Sequence, residues 1–185
     1  MFVTSSCNSQ KDTSANLGGQ RTLLVNGYSQ MYRTTGVFTW TDELLLVKMN
    51  SKEIKDFGKR LDEAVTAIGK ELEKLEISKE WLVLDKTGSS ELQNKLLSSM
   101  TKERLKSYAP VVGLSGPIFE RTLLLTTSGI LNQMKHLTQV MLEVEKDKKR
   151  RKFLEMAKKS FENLRDEDLK LLNKVYFKHD QFSKK

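Results

Sequence analysis

The pattern of apolar positions is helical over most of the chain. Between residues 54 and 75, apolar side chains recur every three or four positions, which places them on one face of an α-helix. A second stripe with the same spacing runs from residue 130 to residue 144. The two stripes contain Ile54, Phe57, Leu61, Ile68, Leu72, Leu75, Ile130, Met134, Leu137, Met141 and Val144. Stripes this narrow suit a coiled-coil seam or one helix of a bundle, so we expect these residues to form a helix-pairing interface.

The second stripe leads into the basic run Lys148-Lys149-Arg150-Arg151-Lys152. A seam that buries apolar side chains cannot also bury unpaired charges. An apolar stripe resumes at Leu154, ten positions after Val144, and this distance rotates the stripe by roughly 80° around a helix. We therefore expect the helix to bend or break near the basic run, or its two halves to face different neighbours.

Capping and breaking residues divide the chain into further elements. Thr41 precedes two acidic residues, as at a helix start, and Pro117 suits a first helical turn. We expect Gly129 to interrupt the helix that follows, and Asp166 to cap a last one. The predicted helices span residues 42–49, 51–76, 90–108, 117–128, 130–164 and 167–179.

The first 36 residues have no helical period and are rich in Ser, Thr, Asn, Gln and Gly. Because this composition is typical of flexible segments, we predict a flexible polar tail over residues 1–36 and a helical domain over 37–185. Residues 20–25 also fit a short strand, and the pattern leaves this open. The predicted fold class is all-α, a helical bundle or an extended coiled-coil assembly with a disordered N-terminal tail.

Charge and composition limit the classes of partner and the compartment that we expect. The net charge is +8, and residues 117–185 carry sixteen basic against ten acidic side chains. Anionic partners such as nucleic acid or acidic protein surfaces are therefore expected there. The single Cys7 excludes an intramolecular disulfide and fits a reducing, intracellular compartment. The longest apolar run, residues 44–47, is far shorter than the ~20 residues of a membrane span.

Residues suited to catalysis are few. His136 and His179 have no second metal ligand at a useful spacing, and Cys7 lies in the predicted tail. The chain contains neither a P-loop nor a dinucleotide-binding glycine motif. We therefore expect no enzymatic activity, no metal and no cofactor, and we interpret both histidines as surface residues.

The basic run Lys148–Lys152 is the main candidate site, and three interpretations stay open. Preceding acidic residues, including Glu143, Glu145 and Asp147, could pair with it and make it a solvated helical face. Runs of this length also serve as nuclear-localisation signals, which favours the nucleus over the cytoplasm. Dense positive charge can also bind phosphates directly, through counterion release.

The segment Phe38-Thr39-Trp40-Thr41-Asp42-Glu43-Leu44-Leu45-Leu46 resembles the first-helix opening of Myb/SANT-like domains. This resemblance implies binding to DNA or histone tails. The alternative is that Trp40, placed before a capped helix, anchors the core.

The sequence thus predicts a non-enzymatic helical interaction or scaffolding subunit that pairs helices with itself or with a partner. The alternative is a nucleic-acid-binding protein that uses Lys148–Lys152 as its contact surface. Only the alternative requires an affinity that falls steeply with salt.

Overall fold

A computed structural model describes residues 9–38, 49–78, 80–85, 95, 99 and 115–176. Within these ranges the chain forms long helices and no strand. We number the four long helices in chain order as α1 (Ser9–Phe38), α2 (Lys52–Ile77), α3 (Gly116–Val144) and α4 (Lys148–Val175). The predicted all-α class is confirmed.

The four helices pack as an antiparallel bundle. Helices α3 and α4 form a hairpin, with Lys135 Nζ 3.9 Å from Glu162 Oε1. Helix α2 runs antiparallel to α4, since Lys174 pairs with Glu53 near the start of α2. Helix α1 packs on α2 and α3 and closes the ring. The connection between α3 and α4, residues 145–147, is called the hairpin corner below.

The core lies inside this ring and draws on all four helices. Every member of the Ile54–Leu75 stripe is at most 5% exposed, and Met134 and Met141 are at most 1% exposed. Ile130, Leu137 and Val144 are partly buried against the same core. The residues predicted to pair helices thus pack against other helices of the same chain.

Helix α1 replaces most of the predicted flexible tail, and that prediction is wrong from Ser9 onward. Residues 20–25 are helical, so they form no strand. The reason is tertiary packing, which overrides local preference. The face of α1 turned to the bundle includes Ser29 and Thr35, at most 5% exposed, beside Tyr28. Because these buried positions are partly polar, they produce no apolar stripe in the sequence.

Gly27 explains how closely α1 approaches α3. A Cβ atom at position 27 would lie 2.6 Å from Met141 Sδ, which is well inside van der Waals contact. Gly27 is therefore buried at a helix–helix contact. Its missing side chain makes room for Met141 next to the hairpin corner.

The predicted helix 51–76 is confirmed within one residue at each end. Ser51 caps α2, and its Oγ accepts a hydrogen bond from Ile54 N at 3.4 Å. Glu120 of α3 also accepts hydrogen bonds from the backbone N–H groups of Asn50, at 2.5 Å, and Ser51, at 2.7 Å. Its second oxygen accepts from the Tyr176 hydroxyl at 2.9 Å. One buried carboxylate thus joins α3, the start of α2 and the end of α4.

The helical conformation is interrupted at residues 145–147, between α3 and α4. The predicted helix breaks at Gly129 and Asp166 are wrong. Both residues lie on exposed helix faces. Apolar residues on the opposite faces are buried before and after each of them, so the helices continue. The cost of one exposed glycine, about 1 kcal/mol, is smaller than the gain from that burial. Of the alternatives left open near the basic run, the structure shows a break, so the predicted single helix over 130–164 is wrong.

Two predicted helices fall largely outside the described residues. Of 42–49 only Met49 is described, and it is not helical. Of 90–108 only Lys95 and Ser99 are described, and both are helical. The segment that resembles Myb/SANT domains lies outside as well, apart from Phe38 at the end of α1.

Gly129→Ala is expected to raise the free energy of unfolding by about 0.5–1 kcal/mol. The position is helical and exposed, and an added Cβ meets no atom within 4 Å. Urea unfolding monitored by circular dichroism measures the change. A lower stability would mean that Gly129 is needed for its backbone freedom, against the continuous α3 described above.

Candidate functional site

The basic run Lys148–Lys152 forms the first turn of α4, directly after the hairpin corner. Asp147 is the N-cap residue, and its Oδ1 accepts a hydrogen bond from Arg150 N at 3.0 Å. Although the run is continuous in sequence, its side chains have two different environments. The arginines turn to the protein interior, and the lysines face solvent.

Arg150 forms a two-point ion pair with Glu145. Its Nε lies 2.7 Å from Glu145 Oε2 and its Nη2 lies 2.9 Å from Glu145 Oε1. The side chains are only 11% and 1% exposed, respectively. The guanidinium also lies over the Trp81 ring, 5.0 Å from its centroid, where a cation–π attraction adds to the pairing. Arg150 is therefore a structural residue.

Glu145 is the centre of a network that joins three parts of the chain. Beyond Arg150, it accepts hydrogen bonds from the Tyr28 hydroxyl of α1 at 3.1 Å and from Asp147 N at 2.9 Å. Burial alone would raise the pKa of Glu145, but these hydrogen bonds outweigh burial and hold the pKa below its usual value. Burial, and then the Glu145 charge, raise the pKa of Tyr28. The corner thus contains an ionised carboxylate that is fully engaged.

Arg151 has a second structural role, at the end of α3. Its Nη1 donates hydrogen bonds to the backbone carbonyls of Leu142, at 2.7 Å, and Glu145, at 2.9 Å. The last carbonyls of a helix have no partner within the helix, and cations near that end are favoured by the helix dipole. Arg151 therefore caps α3 from the first turn of α4.

Lys148, Lys149 and Lys152 are exposed. Within the part of the chain that the structure describes, no carboxylate lies within ion-pair distance of any of them. They lie at the positive end of the α4 dipole, where added positive charge destabilises a helix by about 0.3–1 kcal/mol each. Lys146, also exposed, extends the same surface. We call Lys146, Lys148, Lys149 and Lys152 the lysine surface.

The different environments of the arginines and the lysines affect all three interpretations of the basic run. Pairing with preceding acidic residues applies to Arg150, and the lysines have no such partner among the described residues. A receptor that reads the run as an extended peptide would have to unwind the first turn of α4 and break the buried Arg150–Glu145 pair. A partner that binds the folded surface meets the lysines directly.

Of the three residues considered for catalysis from the sequence, one lies in the described ranges. His136 is on the exposed face of α3, while His179 and Cys7 lie outside the described ranges. No cluster of three potential metal ligands occurs in the part of the chain that the structure covers. None of the described helices is long and apolar enough to cross a membrane.

Sequence reasoning missed Tyr28 and Trp81. It named Glu145 as a possible partner of the basic run, but not its contact with Tyr28 of α1. Glu145 precedes Arg150 by five residues, a spacing that a continuous helix would not bring together. Tyr28 is 117 positions away from Glu145, so nothing in the local pattern indicates their contact. One available signal was the helix break itself, because it changes which charges can meet.

Comparisons of the chain with protein-family models, with curated proteins and with solved structures found no match. The functional argument therefore depends on the geometry described above.

Proposed function

We propose that this protein is a non-catalytic helical interaction protein that binds an anionic partner through the lysine surface. One observation supports this proposal above the others: the basic run divides into half-buried arginines, bound by Glu145 and by the last carbonyls of α3, and exposed lysines without an ion pair to any described residue. The unpaired lysines destabilise the start of α4 and gain no ion pair from described residues. A bound anion would supply the missing opposite charge.

The proposal keeps the interaction role expected from the sequence, but it places the binding surface on the lysines rather than on the apolar stripes. The apolar stripes that could pair helices with a partner are covered by the chain's own helices. A partner that used them would have to displace part of the core. Some large apolar residues, such as Val83 and Ile118, are exposed, which is ordinary for a folded domain.

Nucleic acid is the anionic partner that we favour. Lysine ammonium groups and a helix N-terminus both attract phosphate. The net charge of +8 would further speed the encounter with a polyanion. The proposal includes action in the nucleus rather than the cytoplasm. The alternative partner is an acidic protein surface, and the experiment below separates the two.

The test is the salt dependence of binding to a fluorescently labelled DNA duplex, measured by anisotropy. Three lysine contacts predict a slope of about −2.7 for log K against log salt, a loss of roughly fortyfold between 50 and 200 mM. The triple variant Lys148→Gln, Lys149→Gln, Lys152→Gln should remove most of that slope. No binding of the wild-type protein at low salt would exclude nucleic acid as the partner and leave an acidic protein.

A matched control variant has the same net charge as the triple variant but keeps the lysine surface intact. Lys52, Lys59 and Lys170 are also exposed lysines, and they lie toward the end of the bundle opposite the hairpin corner. Replacing these three with Gln should leave the affinity within about twofold of wild type. If both triple variants lose the same affinity, binding depends on net charge alone, and the lysine surface is not a site.

A further inference from the structure

Asp168 is a buried carboxyl group whose two oxygens form no hydrogen bond of normal geometry. It lies in the C-terminal half of α4 and is 0% exposed. Neither of its carboxylate oxygens has a hydrogen bond of normal geometry, and the buried Nε of Arg165 also has none. Buried charges in proteins are normally paired or hydrogen-bonded. This site differs sharply from the saturated network around Glu145.

The groups around Asp168 leave its charge largely uncompensated. From α3 the Ser128 hydroxyl faces it, and from α4 itself the Arg165 guanidinium acts on it. The α2 cation at this level, Arg60, is bound on the outer surface by Glu167. Helix α1 meets α4 at Phe153, whose ring lies 6.5 Å from that of Tyr28, fifteen residues before Asp168. Among the described residues, Arg165 is therefore the cation that acts on Asp168, and it forms no hydrogen bond of normal geometry with that carboxyl group.

Burial raises the pKa of Asp168 to about 7, although Ser128 and Arg165 act in the opposite direction. The ordinary value for the group is 3.8. The folded protein therefore holds this proton more tightly than the unfolded chain does. The resulting stability is fully present below about pH 4 and is lost as the pH rises through about 7.

We propose that Asp168 is a proton-linked latch on the α3–α4 hairpin. The neutral carboxylic acid is compatible with close packing of the C-terminal half of α4 against α3 and α2. Loss of the proton places an uncompensated charge in that interface and weakens it. The hairpin corner, held by the Arg150–Glu145 pair, stays closed. This inference does not depend on the lysine surface or on the identity of its partner.

The experiment compares the full-length wild-type protein with Asp168→Asn, a neutral side chain of nearly the same shape. Between about pH 5 and pH 7 the unfolding constant of the wild type should rise about tenfold per pH unit relative to that of the variant. Asp166→Asn is the matched control, since Asp166 is exposed on the same helix. It should retain the wild-type pH dependence.

Two direct measurements on the wild type keep the proposal testable if Asp168→Asn fails to fold. Side-chain carboxyl NMR should give a titration midpoint for Asp168 near pH 7. Amide exchange, corrected for its intrinsic pH dependence, should show more frequent opening in the C-terminal half of α4 at pH 8 than at pH 6, with no such change at residues 148–153. A midpoint in the ordinary aspartate range, or the same pH dependence in wild type and Asp168→Asn, would overturn the proposal.

Discussion

Glu145→Ala is expected to lower the free energy of unfolding by about 3–5 kcal/mol, the usual cost of removing one partner from a buried ion pair. The substitution leaves Arg150, 11% exposed, without its carboxylate. It also removes the acceptor of the Tyr28 hydroxyl, which would remain buried. Urea unfolding, followed by circular dichroism at neutral pH, measures the loss.

Two controls identify the source of this loss. Glu143 is exposed and two residues away, so Glu143→Ala should change the stability by no more than about 0.5 kcal/mol. In a double-mutant cycle, adding Arg150→Ala to Glu145→Ala should recover part of the loss, because the unpaired charge is then gone. A loss below about 1 kcal/mol for Glu145→Ala would place the pair among weak surface ion pairs.

The pH dependence of this pair has the opposite sign to that of Asp168. The pKa of Glu145 is held below its usual value, so its contribution is present above the unfolded pKa and is lost as the pH falls through the folded pKa. Acid therefore weakens the hairpin corner, while rising pH toward 7 weakens the C-terminal half of α4. We therefore expect acid to destabilise one end of the hairpin and neutral pH to destabilise the other.

Leu72→Ala is the second substitution with a large expected effect, about 2–5 kcal/mol. Leu72 is 0% exposed in the core, so the variant loses buried apolar surface and gains a cavity. Because the seam closes within one chain, the unfolding midpoint should not depend on protein concentration. Denaturant unfolding across a wide range of concentrations measures both quantities.

The outcome of this measurement decides between internal and intermolecular pairing of the seam. If the midpoint of the wild type rises with protein concentration, the seam pairs helices from different chains. Leu125→Ala is the control, since Leu125 is 51% exposed. That variant should cost no more than about 0.5 kcal/mol.

The apolar period was enough to predict one of the four long helices with its bounds, and to mark the place where two others separate. The Ile54–Leu75 stripe gave α2 within one residue at each end. The apolar stripe rotates by roughly 80° around the helix after Val144, and a straight helix cannot turn both parts of such a stripe to one core. This rotation predicted a bend, a break or different neighbours, and the structure has a break between α3 and α4. In both cases the apolar residues themselves contain the information, since the members of these stripes are buried or partly buried in the core.

Other features depend on contacts between distant residues, and local patterns could not predict them. Helix α1 buries Ser29 and Thr35, which in sequence resemble a polar segment. The opposite roles of Arg150 and Lys149 depend on Glu145 and Trp81, and on which side of α4 faces the bundle. A basic run in sequence shows how much charge is present, while the fold decides which charges are available.

The central claim is that the arginines of the basic run hold the fold and its lysines bind the partner. One paired measurement tests it: the free energy of unfolding and the DNA affinity are both measured for two variants, each assayed for binding while folded. The lysine variant is Lys148→Gln, Lys149→Gln, Lys152→Gln, and the arginine variant is Arg150→Gln, Arg151→Gln. We predict that the lysine variant loses binding but is as stable as wild type or slightly more so, because charge at the positive end of α4 is removed. The arginine variant should lose several kcal/mol of stability and keep most of its affinity. Loss of affinity in the arginine variant, with binding intact in the lysine variant, would contradict the claim.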